Sequence, residues 1–233
     1  DCLFESCLTA AMHHAKRPPD RERLSTVVVQ RNYFAGADID CQINVFGTSI
    51  EQLVIRHNVF AGKSRKDITF NELTGAGAIE LSNNTLSSTS GIVFYHTIPH
   101  SPVVIRNNLR AQAGFIEVRE GAEKGFPQAV RYWSIDHNVY HDAPGGSSPE
   151  QIAPRSPGDL NLMPRFLSKV PHGADFLRIS ADDPLANAGA GGEWPTYLGG
   201  LNPGPAPRAG DWFTRLKARW SDSSSQESQP QPK

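Results

Sequence analysis

The sequence predicts an all-β chain wound into a parallel solenoid of about 24–26 residues per coil, and three observations predict it. An asparagine recurs behind an apolar strand, in Val27 to Asn32, Leu53 to Asn58, Ile79 to Asn84, Val103 to Asn108 and Trp133 to Asn138, at steps of 26, 26, 24 and 30 residues. A period of roughly 20–50 residues marks a stacked repeat. A second set of strands lies halfway between: Ile43, Ile68, Ile92 and Ile116 share one column at steps of 25, 24 and 24, and Val45, Phe70, Phe94 and Val118 the column two residues on. Between the strands no 3.6-residue period reaches helical length, and the repeat is shorter than the ~30 residues of a strand–helix–strand unit.

Alternation with period two is the strand signature, because successive side chains point to opposite faces. The isoleucine and Val/Phe columns therefore face the core. The intervening columns are mixed: Asn44, Thr69, Val93 and Glu117, then Phe46, Asn71, Tyr95 and Arg119. The recurrent asparagines Asn32, Asn58, Asn84, Asn108 and Asn138 read as a structural ladder at a bend. An amide both donates and accepts, so it can bond the next coil and satisfy buried turn backbone, and Asn tolerates the left-handed conformation such bends need.

The coils span residues 1–142. Leu3 to Leu8 overlays on Val28 to Tyr33 and puts Cys7 in the asparagine column, so the chain begins inside a coil. Solenoids normally cap their ends; the expectation is therefore the C-terminal part of a longer protein. Residues 10–24, with His13, His14 and a basic run, break the period and read as a protruding polar loop. An insertion from Gly121 to Gln128 lengthens the step before Trp133. After Tyr140 the repeat stops. Residues 143–158, rich in Pro, Gly and Ser, read as a linker, and 159–207 as an irregular closing segment packed on the solenoid. Residues 208–220 suit a short amphipathic helix with Asp211 as N-cap and Trp212, Leu216 and Trp220 on one face. The polar end, 221–233, reads as disordered.

Lys and Arg number 23 against 24 Asp and Glu, for a net charge of −1, which leaves no electrostatic footprint for nucleic acid. No apolar run approaches the ~18 residues of a membrane span. Three cysteines, Cys2, Cys7 and Cys41, are too few for a disulfide scaffold; one bridge or buried free thiols both suit them.

The pattern V-x-I-x-x-N-x-F, clearest from Val27 to Phe34 and from Leu53 to Phe60 with weaker copies through Tyr140, resembles the right-handed parallel β-helix, or pectin-lyase-like, superfamily. The closing order, Pro164-Arg165-Phe166, Asp175-Phe176-Leu177-Arg178, Asp183-Pro184-Leu185-Ala186 and Leu198-Gly199-Gly200-Leu201, is similar to that of many bacterial β-helix proteins, with Asp183 and Leu185 replacing the commoner Ser and Ala. The resemblance implies a bacterial, secreted or cell-envelope protein. It further implies a monomer whose partner is a polysaccharide or cell-surface glycan. It allows Ca²⁺ as a cofactor, for which the chain carries no motif. The pectate-lyase calcium cluster and R-x-P-x-x-R, and the polygalacturonase signatures, are absent. His13, His14, His96 and His100 belong to no zinc-spaced set.

In the polysaccharide-degrading members, charged residues from adjacent coils converge on an outward strand face. Here that position holds Glu72, His96, Glu117 and Arg119 as candidate catalytic residues and Asn71, Tyr95 and Phe46 as candidate substrate contacts. A Tyr or His base, an Arg and two carboxylates suit β-elimination or hydrolysis. The same residues suit ordinary cross-strand pairing on a solvated sheet. Two classes of function stay open: a lyase, hydrolase or epimerase, and a non-catalytic adhesion or interaction module.

Overall fold

The structure is a computed structural model, and it describes residues 3–5, 11–14, 24–35, 41–46, 50–61, 65–71, 77–96, 98–112, 116–119, 121–140, 156–170, 173–205 and 211–216. The chain is a parallel β-solenoid with three sheets. The first sheet stacks Leu3–Glu5, Tyr33–Ala35, Val59–Phe60, Thr85–Leu86, Leu109–Arg110, Val139–Tyr140 and Leu160–Asn161. The second stacks Ala11–His14, Cys41–Phe46, Lys66–Asn71, Ser90–Tyr95 and Ile116–Arg119. The third stacks Leu24–Gln30, Ile50–Arg56, Ala78–Ser82, Val103–Arg106 and Trp133–Asp136. Each coil runs third sheet, tight bend, first sheet, second sheet, and every pairing between these strands is parallel.

The columns read from the sequence are the core. Ile43, Ile68, Ile92 and Ile116 pair in direct register, as do Val45, Phe70, Phe94 and Val118, and all are buried. Aromatics stack along the axis: Phe34 on Phe60 with centroids 4.7 Å apart, and Phe70 on Phe94 at 4.9 Å. Across the interior Trp133 lies against Phe94 at 5.0 Å. Among the described residues a charged pair lies buried in the solenoid. Arg110, opposite Leu86 in the first sheet, is fully buried and pairs with the equally buried Asp67 at 3.3 Å. Burial pushes Asp67 up to about 7 against the opposing pull of Arg110 and Ser88.

The bend is a two-residue device. Arg31, His57, Asn83, Asn107 and His137 adopt φ of 54°, 54°, 49°, 56° and 53°. This left-handed residue turns the chain and puts the following asparagine inside. Asn58 Oδ1 accepts from the backbone N and side-chain Nδ2 of Asn32 at 3.0 and 3.1 Å, and the pattern repeats from Asn58 to Asn84, Asn84 to Asn108 and Asn108 to Asn138. From Asn58 onward each Nδ2 also donates to a carbonyl of the preceding coil, as Asn84 does to Ile55 at 2.9 Å. The ladder ends on Asp159, whose Oδ1 accepts from Asn138 N and Nδ2 at 2.7 and 3.2 Å. The terminal position only has to accept from Asn138, so a carboxylate serves there.

Two expectations at the start of the chain are corrected. Leu3 pairs with Tyr33, not Val28, so Leu3–Glu5 follow the bend instead of preceding it. Three alternating residues fit either strand, and the register here sets Phe4 opposite Phe34. Residues 11–14 are a strand of the second sheet, opposite Ile43 to Phe46, and not part of a loop. Cys7 and residues 15–23 lie outside the described residues, as do residues 143–155 of the expected linker and the end from 217. The insertion from Gly121 folds into short 3-10 turns, Ala122–Lys124 and Val130–Tyr132, around one α-turn, Phe126–Ala129. Cys41 is buried.

Beyond the coils the chain turns back along the outer face of the first sheet. Ile179, Leu185 and Leu198 cover Leu109 and Val139, and Phe176, Leu177, Leu201, Phe213 and Leu216 cover Tyr33 and Val59. The first sheet is thus covered on both faces from Tyr33 to Val139. Gly199 and Gly200 allow this approach: Gly199 has φ +79°, and a Cβ on Gly200 would lie 2.6 Å from the Asn58 carbonyl oxygen. Residues 212–216 are helical, begun by Asp211, whose Oδ1 accepts from Thr214 N at 3.0 Å.

Candidate functional site

The outward row of the second sheet is assembled by register alone. Phe46 lies opposite Asn71, Asn71 opposite Tyr95, and Tyr95 opposite Arg119 on four successive strands. Glu117 stands two residues before Arg119 and bonds its guanidinium. Burial opposes the Arg119 charge, but Glu117 and the Tyr95 hydroxyl outweigh it and hold the guanidinium above its ordinary value. Lys66 Nζ sits 5.1 Å from the centroid of the Tyr95 ring, and Asn71 Nδ2 donates to Asn44 Oδ1 at 2.7 Å. His96 follows at the strand end, exposed and with φ 61°. Glu72 lies outside the described residues.

The face is not uniformly open. Thr69 and Val93, in the neighbouring outward column, are 3% and 0% exposed, and Tyr95 is 8% exposed. Phe46, Asn71 and Glu117 are half-buried, and Arg119 and His96 are exposed. The row therefore offers side-chain edges and hydrogen-bonding groups along the axis. Its described charges are largely matched to one another.

A second site has no counterpart in the sequence reading. The left-handed bend residues form an outward column, and the returning chain covers only part of it. Asn83 Nδ2 donates to the Tyr197 carbonyl at 3.1 Å. Asn107 Nδ2 donates to the Pro195 carbonyl at 3.0 Å, and its Oδ1 accepts from Ala190 N at 2.9 Å. Toward Arg31 and His57 the cover parts into a cleft of about 430 Å³. Its walls are Gln30, Arg31, Arg56 and His57 on the solenoid, and Tyr197, Gly200, Asn202, Asp211 and Trp212 on the returning chain.

Arg56 Nε donates to the neutral Gln30 Oε1 at 3.0 Å. Asp211 is the one carboxylate among the described wall residues, and it is held by Arg178 and by Thr214 N. Burial opposes its ionisation, but those donors outweigh burial and keep its carboxyl below the usual carboxylate range. Arg178 is itself buried, its other nitrogens held by the Ala174 and Asn202 carbonyls, so the back wall is fixed. Burial, then Arg56 and Arg31, push His57 down to about 4 from 6.5. The imidazole is therefore neutral at neutral pH. Burial, then Asp211, push the Tyr197 hydroxyl up.

These residues escaped the sequence reading because His57 sits one place before a ladder asparagine and reads as a repeat position. Tyr197 and Trp212 reach it only through the fold-back of the chain. Among the described residues no group of three His, Cys, Asp or Glu is placed to hold a metal ion. Among the described residues no helix is long and apolar enough to cross a membrane. Comparison with known proteins finds no matching family model, no matching curated protein and no matching solved structure.

Proposed function

We propose that this chain is the glycan-contacting part of a secreted or cell-surface β-helix protein of the pectin-lyase-like kind, and that it binds polysaccharide along the outward row of the second sheet. The observation that supports this reading is the direct register of Phe46, Asn71, Tyr95 and Arg119 on successive strands. Parallel strands stack ~4.8 Å apart, close to the length of one sugar ring, so a chain laid along the axis meets one row member per ring. Tyr95 and Phe46 offer apolar edges, and Asn71, Arg119 and His96 offer hydrogen bonds.

Binding is favoured over cleavage. Glu117 is tied to Arg119, so its carboxylate is already engaged as the acceptor of the guanidinium. The test is a glycan array with the wild type, Tyr95→Ala and Arg119→Ala. The wild type should retain one class of polysaccharide, and each variant should weaken retention severalfold without loss of fold. An array with no ligand, or retention unchanged in both variants, rejects the reading. Release of reducing ends or unsaturated products, abolished by Glu117→Gln or His96→Gln, would replace it with an enzyme.

A further inference from the structure

We propose that the buried Asp67–Arg110 pair is a proton-operated latch at the corner between the first and second sheets, closed while Asp67 holds a proton and opened to water when it ionises. The corner is residues 87–89, which join Thr85–Leu86 to Ser90–Tyr95. The proposal does not depend on the glycan row.

Three successive coils meet there. Asp67, near the start of Lys66–Asn71, belongs to one coil, Ser88 and Thr89 to the next, and Arg110, in Leu109–Arg110, to the one after. Arg110 Nη1 donates to Asp67 Oδ2 at 3.3 Å. Its Nη2 donates to the Ser88 carbonyl and, at 2.9 Å, to that of Thr89. Ser88 N donates to the two carboxylate oxygens of Asp67 at 3.3 and 3.2 Å. Ser87 Oγ and Ser90 N tie the corner to the Phe60 and Arg65 carbonyls, each at 2.7 Å. The carboxyl of Asp67 is therefore the point at which the three coils are joined by charge.

Both side chains of the pair are fully buried, and the contacts on the carboxyl are long. A charge-assisted bond from a cationic nitrogen to a carboxylate runs about 2.7–2.9 Å. Arg110 divides its guanidinium between Asp67 and two carbonyls, and Nη1 reaches one carboxylate oxygen. Under full burial, such pairing offsets less than the carboxylate loses by leaving water. Among the described residues Arg110 is the charge that acts on Asp67, and Glu117, on the strand that follows Arg110, acts in turn on Arg110. On one neighbouring strand the facing position, between Cys41 and Ile43, is the buried and uncharged Gln42, and on the other, between Ser90 and Ile92, it is Gly91. Lys66, on the same strand as Asp67, is turned to the Tyr95 ring. A protonated carboxyl needs no counter-charge, and Arg110 keeps its two carbonyls, so the corner stays closed. An ionised carboxylate is short of donors, and water supplies them when the corner opens. The closed form holds the proton up to about 7, while an open one releases it near the ordinary carboxyl value of about 4. Between those values opening releases a proton, so rising pH favours the open corner.

The experiment is NMR on the whole chain, following the Asp67 carboxyl carbon and hydrogen exchange at the Ser88 and Ser90 amides from mildly acidic to mildly alkaline pH. The carboxyl should titrate near neutrality, and the Ser88 amide shift should move with the same midpoint. Protection factors at Ser88 and Ser90, which already correct for base catalysis of exchange, should fall ~10-fold per pH unit up to that midpoint and level off above it, since opening releases one proton. Asp67→Asn, which cannot ionise, should flatten this dependence. Arg110→Met, which removes the cation, should move the Asp67 midpoint higher still. Should either variant fail to fold, the wild-type titration and exchange decide alone. A carboxyl midpoint near the ordinary value of about 4, protection that is independent of pH or rises with it, an undiminished slope in Asp67→Asn, or a midpoint unmoved by Arg110→Met overturns the proposal. None of these outcomes bears on glycan retention at Tyr95 and Arg119, so the glycan row stands or falls separately.

Discussion

Asn83 and Asn107 on one side, and Arg31 and His57 on the other, occupy one column of the bend with one backbone conformation. The first pair is buried under the returning chain, and the second lines a cleft. The difference lies in the side chain. A short amide reaches backbone carbonyls and amides that cross directly over it, as Asn107 does with Pro195 and Ala190. The longer Arg31 and His57 side chains line a cleft at this point, whereas the His137 imidazole is overlain by the chain at Gly158, where a Cβ would come within 2.9 Å of the ring. At this position, then, the solenoid requires a backbone turn and leaves the outward group free. The inward neighbour, the ladder asparagine, has no such freedom.

That contrast can be tested by replacing each kind of residue, beginning with the largest effect. Asn84→Ala should destabilise most. It removes the acceptor for Asn58 N and Nδ2 and the donor to Ile55 O, all buried. An unpaired buried group costs about 1–3 kcal/mol, so the loss in chemical denaturation should be several kcal/mol. An unchanged denaturation midpoint would mean that the asparagines do not carry the bend.

Gly200→Ala should come next, at about 1–3 kcal/mol for a clash in a packed region. Its Cβ meets the Asn58 backbone, which cannot yield as a flexible side chain would. Asn107→Ala should cost about 1–3 kcal/mol for the tail groups it leaves unpaired. His57→Asn should be neutral or slightly stabilising, since Asn suits the left-handed bend better. Equal losses in Asn107→Ala and His57→Asn, measured by thermal melting, would erase the distinction between the two pairs.

The smallest effect is a pH dependence. An unfolded chain protonates His57 near 6.5, while the folded chain resists until about 4. Between those values the unfolded state binds more protons, so acidification through this window removes stability that is fully present above it. His57→Gln should flatten that part of the stability-versus-pH curve. Identical curves for wild type and variant would contradict the buried, arginine-flanked setting of the imidazole.

Much of the fold was legible because stacking forces chemistry to repeat. The isoleucine column, the Phe70–Phe94 column and the asparagines recur at fixed steps because each touches its own kind one coil away. The same repetition set the candidate row Phe46, Asn71, Tyr95 and Arg119 in register. What could not be read depends on non-repeating contacts. Arg110 looks like a surface residue after a ladder asparagine, yet it sits in the interior on Asp67, in the column of Phe34, Phe60 and Leu86. Thr69 and Val93 look outward and are buried. The strand at 11–14 carried no apolar alternation to distinguish it from a loop. The cleft joins residues near 31 and 57 to residues near 197 and 212 through a fold-back that no local pattern encodes.

The division of the bend column is tested most directly by hydrogen exchange at the amides of Ala190 and Gly199, which donate to the side chain and the backbone carbonyl of Asn107. Asn107→Ala should strip protection from both amides while leaving the Asn84 and Asn108 amides of the ladder slow. His57→Asn should leave all four as in the wild type. Protection of Ala190 and Gly199 that survives Asn107→Ala, or that is lost equally in His57→Asn, would contradict a column in which the asparagines hold the returning chain and the arginine and histidine line an open site.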